Sequence, residues 1–428
     1  MATDAFGRLR VSEPFTTFNY YPSPLAEQTL DVDVWVKDTT TGADATYNQN
    51  SKSIELSLSG SGAISATRTT KMPMEYQPGK SRLIMMSGAM VTPIPTTAVP
   101  VYSRVGLFNI DSSSNPTSIT EGVWFEVDCS NHKIKWCEKV NNNGTSELHE
   151  FADSSWNIDT FNGSGPSGKT LTFNDMSKNI LLVIDQEWLG VGRVRCGFNI
   201  DGVTYYAHAF THSQLSNAYT PSPRQRLGYQ IFSTDDISST TYKMKQMCCA
   251  SMSEGGFFPL GVRNSISTDV SGVDIALNDP NPRVIMALKI NDSNSNYKNG
   301  IIKIINLSLA YKAGNNSNDT MKYTMQLHSD NGRTGGKIGT ITGTPNYTSL
   351  NNSISSYATN PATLDVTVPG FVLTSGFITA NTSVDFTSND YEGLLTRTNI
   401  TQYDTLYVTA QSTTTGKAYG ALDFIESI

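Results

Sequence analysis

Charge is scarce in this 428-residue chain: Asp, Glu, Lys and Arg make up 16 %, with a net charge of −7. Phosphate-binding faces show as a basic excess, so no nucleic-acid partner is expected. No apolar run reaches the roughly eighteen residues of a membrane span, and none is expected. The opening residues "MATDAFGRLRV" lack the apolar core of a signal peptide, which points to synthesis in a cytoplasm without export by that route. Cysteine is sparse and irregular. Cys129, Cys137, Cys196, Cys248 and Cys249 form neither a disulfide framework nor a zinc pattern. All five read as reduced, buried or half-buried thiols, with adjacent Cys248 and Cys249 on opposite faces of a strand. No twelve-residue amphipathic helix pattern appears in the first half of the chain.

What is present is polar, turn-rich and β-patterned. Hydrophobic residues make up 38 % and aromatics 10 %, too much apolar material for a disordered chain. N-x-[ST] sequons recur, as at Asn143, Asn306 and Asn381, and reflect the abundance of Asn, Ser and Thr. Short alternating segments separated by turn residues run through the chain, among them 53–60, 81–91, 101–110, 122–129, 132–140, 179–188, 191–200 and 203–210. "FNIDGVTYY" is the strongest hairpin, its Asp-Gly suited to a type I′ turn. After a Gly- and Pro-punctuated junction at 253–262, strand patterns resume at 282–290, 300–312, 321–329, 363–368, 370–380 and 403–412.

The fold expected is all-β: two antiparallel β-sandwich (jelly-roll-like) domains with an extended N-terminal arm. Residues 1–30 form the arm, 31–255 a jelly-roll or lectin-like sandwich, and 262–428 the second sandwich. The arm, aromatic and Pro-rich, is too apolar for a free tail. It packs along the body or against another subunit, or is simply a first strand and turn. Phe6, Leu9, Val11 and Phe15, with Arg8 and Arg10, are its candidate assembly contacts.

One stretch looks catalytic. "GSGPSGKT" at 163–170 satisfies G-x-x-x-x-G-K-[ST], and an apolar run ending in acids follows at 180–187. A phosphate loop needs a buried strand before it and a helix after it. Here the preceding residues are mostly polar, and the nine residues 171–179 cannot form a helix and return to a parallel strand. The segment reads as a surface loop between strands, which leaves Lys169 without a nucleotide.

Other candidates are weighed in the same way. Asp185 and Glu187 share a strand face, as paired carboxylates of a retaining glycosidase would. Arg193 and Arg195 alternate on the next strand, so structural cross-strand ion pairs are the stronger expectation. His208 and His212, four apart, have metal spacing only on a helix, and no metal or other cofactor is expected. "GVG" at 190–192 is a turn, and no G-x-S-x-G elbow occurs. Trp124, Trp136, Trp156 and Trp188 are read as core before sugar platforms.

Several stretches together resemble one family: "DAFGRLRVSEPFTTF", "YQPGKSRLIMMSG", "SSWNIDTFNGSGPSGKTL", "IDQEWLGVGRVRCGFNIDGVTYYAHAF" and "SEGGFFPLG". They are similar to virion structural proteins of tailed bacteriophages, many marine, and of some large algal DNA viruses. The resemblance covers about residues 1–260 and carries over no catalytic residue. It implies a non-enzymatic capsid- or tail-associated component, a fibre or appendage, located in the virion and made in the host cytoplasm, with other virion proteins as partners. A host-glycan-binding module is the alternative, since variable function sits on loops over a rigid scaffold; a carbohydrate-active enzyme is third. A homo-oligomer, trimer favoured, is expected, because "SIELSLSG" and "GFVLTSGFITA" carry no Lys, Arg or Pro to blunt a sheet edge.

Overall fold

The computed structural model describes residues 4–5, 14–23, 34–71, 73–74, 76–110, 118–142, 145–213, 215–237, 240–255, 261–275, 281–290, 301–314, 319–328, 340–341, 347–350, 355–359, 366–368, 370–387, 394–396 and 405–427. Within these residues the chain is β throughout, apart from two 3₁₀ turns at Asp153–Ser155 and Phe173–Ser177. It divides into two units, Met1–Phe258 and Pro259–Ile428.

The strands of the first unit are β1 (Pro14–Tyr20), β2 (Trp35–Thr39), β3 (Ala43–Asn48), β4 (Ser53–Leu58), β5 (Ser65–Thr70), β6 (Arg82–Thr92), β7 (Val101–Ile110), β8 (Ile119–Asp128), β9 (Lys133–Asn142), β10 (Thr145–Ala152), β11 (Ile180–Gln186), β12 (Val194–Ile200), β13 (Val203–Phe210), β14 (Arg226–Ser233) and β15 (Tyr242–Glu254). β7 and β13 fall on the segments whose alternation is clearest. The β12–β13 hairpin closes Ile200 on Val203, with Asp201 at φ 55° and Gly202 at φ 81°, the two positive dihedrals a type I′ turn requires.

Two antiparallel sheets result. One runs β13-β12-β11-β6-β15-β4-β3, and the other β10-β9-β8-β7-β14-β5-β2. One hydrophobic core lies between them. Val105, Leu107, Phe125, Val127 and Trp136 come from the second sheet, and Ile84, Met86, Ile184, Phe198 and Met244 from the first. Successive strand residues point to opposite faces, so Tyr102, Arg104, Glu126, Asp128 and Lys135 lie on the face away from that core.

Residues 14–20 of the expected arm form a strand. β15 is longer than β4, which pairs only with Tyr242–Gln246, and β1 covers the same edge from Cys249 to Glu254. An unpaired β15 edge would leave a row of bare N–H and C=O groups, so residues 14–20 are a strand of the first sandwich. Phe18 and Tyr20 pack on its core. Backbone pairing sets Phe15 opposite Ser253. Phe6, Arg8, Leu9, Arg10 and Val11 lie outside the described residues.

The strands of the second unit are β16 (Val262–Ser267), β17 (Val273–Ile275), β18 (Arg283–Ile290), β19 (Ile301–Ala313), β20 (Thr320–His328), β21 (Thr340–Ile341), β22 (Thr348–Ser349), β23 (Ser355–Thr359), β24 (Val366–Val368), β25 (Phe371–Thr379), β26 (Thr382–Thr387), β27 (Leu394–Thr396), β28 (Thr405–Ser412) and β29 (Gly416–Ser427). One sheet is β16-β29-β19-β26 and the other β22-β23-β18-β28-β20-β25, around a core of their own that includes Leu288, Leu309, Met325, Val408 and Phe424. The two segments without edge-blunting residues part company here. β4 is interior, between β15 and β3, whereas β25 is terminal among the described residues.

Candidate functional site

A surface turn held at several points is Glu187–Arg193, between β11 and β12. Its conformation follows from glycine. Leu189 and Gly190 take positive φ, and a Cβ on Gly192 would lie 1.6 Å from the Glu187 carbonyl oxygen. Gly192 N–H donates to the Trp188 carbonyl at 2.7 Å, and Tyr219 N–H donates to the Gly190 carbonyl at 2.9 Å. The Tyr76 hydroxyl accepts from Leu189 N–H at 3.1 Å. The Trp188 indole donates to Thr220 Oγ1 at 2.8 Å, with the Tyr76 ring edge-on at 6.0 Å. His212 Nδ1 bonds the Gly192 carbonyl from below, its Nε2 bonds Glu138 at 2.7 Å, and its ring stacks on Tyr219 at 3.8 Å. A turn held at so many points nevertheless leaves Leu189 46 % and Val191 50 % exposed.

The start of the chain meets this turn. Asp4 and Ala5 are buried, and Arg193 Nε donates to the Ala5 carbonyl at 2.6 Å. The described residues that flank 6–13 both meet the first sandwich, at Ala5 and at β1.

Asp185 and Arg195 form a cross-strand pair, register partners with Arg195 Nη2 2.6 Å from Asp185 Oδ2. Ser81 and Tyr206 hydroxyls donate to the same carboxylate at 2.7 and 3.0 Å. Glu187 and Arg193 do not form the matching ion pair. Their strands meet there through Glu187 N–H and the Arg193 carbonyl, while the Arg193 side chain turns to Ala5. Asp185 and Glu187 are both fully buried. A glycosidase reading of the two fails on access, because neither carboxylate meets solvent.

The "GSGPSGKT" letters form a closed hairpin loop. Asn162 and Thr170 make an isolated bridge, and Gly163 N–H donates to the Lys169 carbonyl at 3.0 Å. The anion the loop cradles is internal: Asp159 accepts from Phe161 N–H at 2.8 Å and Ser167 N–H at 2.7 Å. A Cβ on Gly165 would lie 2.1 Å from Asp159 Oδ1, so a larger residue there would have to displace that carboxylate. Lys169 points to Asp201 of the neighbouring type I′ turn, 3.2 Å away.

His208 and His212 serve different ends. His208 Nδ1 accepts from Asn157 N–H at 3.3 Å and its ring stacks on Phe151 at 4.4 Å; burial pushes its pKa down to about 4. Trp136 and Trp156 belong to the main core, Trp124 to a small cluster with Phe108 and Cys137, and Trp188 to the turn. Cys248 is exposed, unlike the other four cysteines, because its strand neighbour Cys249 takes the core side.

Sequence reasoning missed a ladder of charge on the outer face of the second sheet. Lys135 Nζ lies 2.9 Å from Asp128, 3.3 Å from Glu150 and 3.7 Å from Glu126, and Arg104 bonds Glu126 at 2.7 Å. Arg104 also sits over the Phe232 ring, which stacks on Tyr102 at 5.1 Å. The signal was available: "VWFEVDC" and "HKIKWCEKV" place opposite charges in register once they are paired as a hairpin. Glu126, Cys137 and Glu150 offer ligand atoms within 4.8 Å of one another. Lys135 Nζ, 3.3 Å from Glu150 and 3.7 Å from Glu126, is the cation beside them.

No family model and no curated protein matches the chain. Solved structures are similar to part of the chain at low identity. An endo-1,3-β-glucanase from Streptomyces sioyaensis is 12 % identical with a TM-score of 0.39, over 57 % of this chain and 97 % of its own. A legume lectin-like domain from Entamoeba histolytica is 9 % identical with a TM-score of 0.34, over 60 % and 100 %. A carbohydrate esterase from Shiga toxin-encoding bacteriophage phi24B is 11 % identical with a TM-score of 0.31, over 57 % and 100 %.

Proposed function

We propose that the chain is a non-enzymatic virion structural protein, capsid- or tail-associated, that joins its assembly through the N-terminal segment and the turn beside it. The observation that carries this reading is the anchoring of Ala5 by Arg193 next to exposed Leu189 and Val191. Rigid, exposed apolar side chains lose little conformational entropy on docking. The sequence resemblance to virion proteins includes both segments. Deleting residues 2–20 tests the idea poorly, because it removes β1 and bares the β15 edge. Substituting Phe6, Leu9 and Val11 by Ser, and separately Leu189 and Val191 by Ser, keeps β1 in the chain. The protein should then stay folded and fail to enter particles. Normal incorporation of both variants would sink the assembly role.

A second reading, a host-glycan receptor module on the virion, draws on the outer face of the second sheet. There half-buried Tyr102, Arg104 and Lys135 and exposed Glu150 form a polar row beside an aromatic pair. Binding of the full chain to a glycan array, lost in Tyr102→Ala, tests it; an array without signal counts against it.

A further inference from the structure

We propose that Glu126, Cys137 and Glu150, on the outer face of the second sheet of the first unit, bind a thiophilic divalent cation of the zinc class. The three come from adjacent strands, β8, β9 and β10, and their ligand atoms lie within 4.8 Å of one another.

Register brings them together. Glu150 is the direct partner of Cys137 across β9 and β10. On the other side Cys137 is paired with Trp124, and Glu126 follows two residues along β8 on the same face. No short Cys or His spacing in the sequence marks such a set, because each ligand sits on its own strand.

The thiol is the first sign of an ion site. Cys137 is fully buried and makes no hydrogen bond among the described residues, yet both carboxylates reach it. The second sign is the orientation of Glu126. Its Oε2 accepts from Arg104 Nε at 2.7 Å and from the Trp124 indole at 3.4 Å. That leaves Oε1 towards Lys135 at 3.7 Å, beyond a hydrogen bond. Outer-shell bonds of this kind fix a ligating carboxylate. The third sign is the placement of Lys135. Its shortest ion pair is with Asp128 at 2.9 Å, against 3.3 Å to Glu150 and 3.7 Å to Glu126. A metal ion displaces only the two longer contacts, and Lys135 stays on Asp128.

The donor set decides the kind of ion. One thiolate and two carboxylate oxygens leave a fourth position to water and suit zinc or cadmium, whereas magnesium and calcium take oxygen alone. Tetrahedral bonds of about 2.0–2.3 Å hold ligand atoms roughly 3.3–3.5 Å apart. Glu150 is exposed, so its side chain can swing to close the set, and an ion enters from its side. On binding, the Cys137 S–H bond breaks, the proton passes to water and the sulfur electron pair bonds the metal. No electron is transferred.

The test uses the full chain carrying Cys248→Ser, which removes the exposed thiol, after treatment with a chelator. Cadmium is the probe, because its bond to a thiolate absorbs in the ultraviolet. Titration should give that band with one ion per chain. Zinc should displace it, and magnesium should not. Cys137→Ser should abolish the band. Glu150→Gln, an exposed change that leaves the core alone, should weaken binding by about tenfold or more. Lys135→Met removes the competing ammonium and should tighten binding by about tenfold, which a purely structural charge ladder would not do. The proposal is overturned if no band appears, if the band survives Cys137→Ser, if magnesium displaces cadmium as zinc does, if Glu150→Gln binds cadmium unchanged, or if Lys135→Met fails to tighten it. The site does not depend on assembly: the Leu189 and Val191 variants should bind cadmium as their parent does.

Discussion

Arg195 reaches across the β11–β12 ladder to Asp185, 2.6 Å away, at a position where the carboxylate is fully buried. Ser81 and Tyr206 hold the same group. Removing one member strands a buried charge, so Arg195→Met should cost about 3–5 kcal/mol. Replacing both, as Asp185→Leu with Arg195→Met, should cost clearly less than Arg195→Met alone. Urea unfolding of the three proteins checks this, and a double variant as unstable as the single one would contradict it.

The turn at 187–193 depends on one glycine. Gly192→Ala places a methyl against the Glu187 carbonyl, and the backbone must shift. The expected loss is well over about 1 kcal/mol, together with looser packing of Trp188. Leu189→Ser, on the exposed side of the same turn, should change stability by no more than about 0.5 kcal/mol. Equal losses for the two in thermal unfolding would mean that the turn is not held as described.

β25 is the candidate edge for the expected self-association. It is terminal in its sheet among the described residues, and Phe377 on it is 72 % exposed. A long apolar edge without charge invites pairing with another chain. Light scattering at micromolar concentration should therefore report an oligomer, with a trimer favoured, and Phe377→Lys should shift it towards monomer. A parent protein that is already monomeric excludes this edge as a subunit contact.

Two buried groups give stability opposite pH slopes. Burial pushes the Glu121 carboxyl up from 4.5 to about 7, against hydrogen bonds from Asn109 and Ser222. The folded state therefore holds a proton that the unfolded chain releases, and this contribution is lost as pH rises through that window. His208, pushed down from 6.5 to about 4, contributes stability above pH 6.5 that is lost as pH falls. Glu121→Gln removes only the first slope. Relative to the parent, the variant should gain on the order of 1–2 kcal/mol between pH 5 and pH 7.5. Urea midpoints at the two pH values decide it, and parallel profiles would refute the assignment.

The thiols make a simpler count. Cys248 is exposed, while Cys129, Cys137, Cys196 and Cys249 are buried, the Cys129 thiol pushed up to about 12. A chromogenic aromatic disulfide should react with one thiol in the native protein and with the remaining four only on unfolding. Rapid reaction of two or more in the folded protein would contradict this burial.

Local chemistry in the sequence determined the all-β class, many of the strands, the Asp201-Gly202 hairpin and the rejection of a phosphate loop. Alternation assigns residues 101–110 and 203–210 to strands, and Asp201-Gly202 to a type I′ turn, because strand faces and positive φ are properties of neighbouring residues. The partner of Asp185 could be read for the same reason: a tight turn brings Arg195 back into register. Tertiary structure decided the rest. Only the length of β15 beyond β4 turns part of the N-terminal arm into β1, and nothing in residues 14–20 states how much edge is left 230 residues later. Arg193 turns from Glu187 to Ala5 because the start of the chain arrives there. Lys312 and Lys417 meet over a sequence gap that only long-range pairing closes. Contacts between distant segments depend on loop closure and on which edges remain unpaired, and no local pattern encodes either.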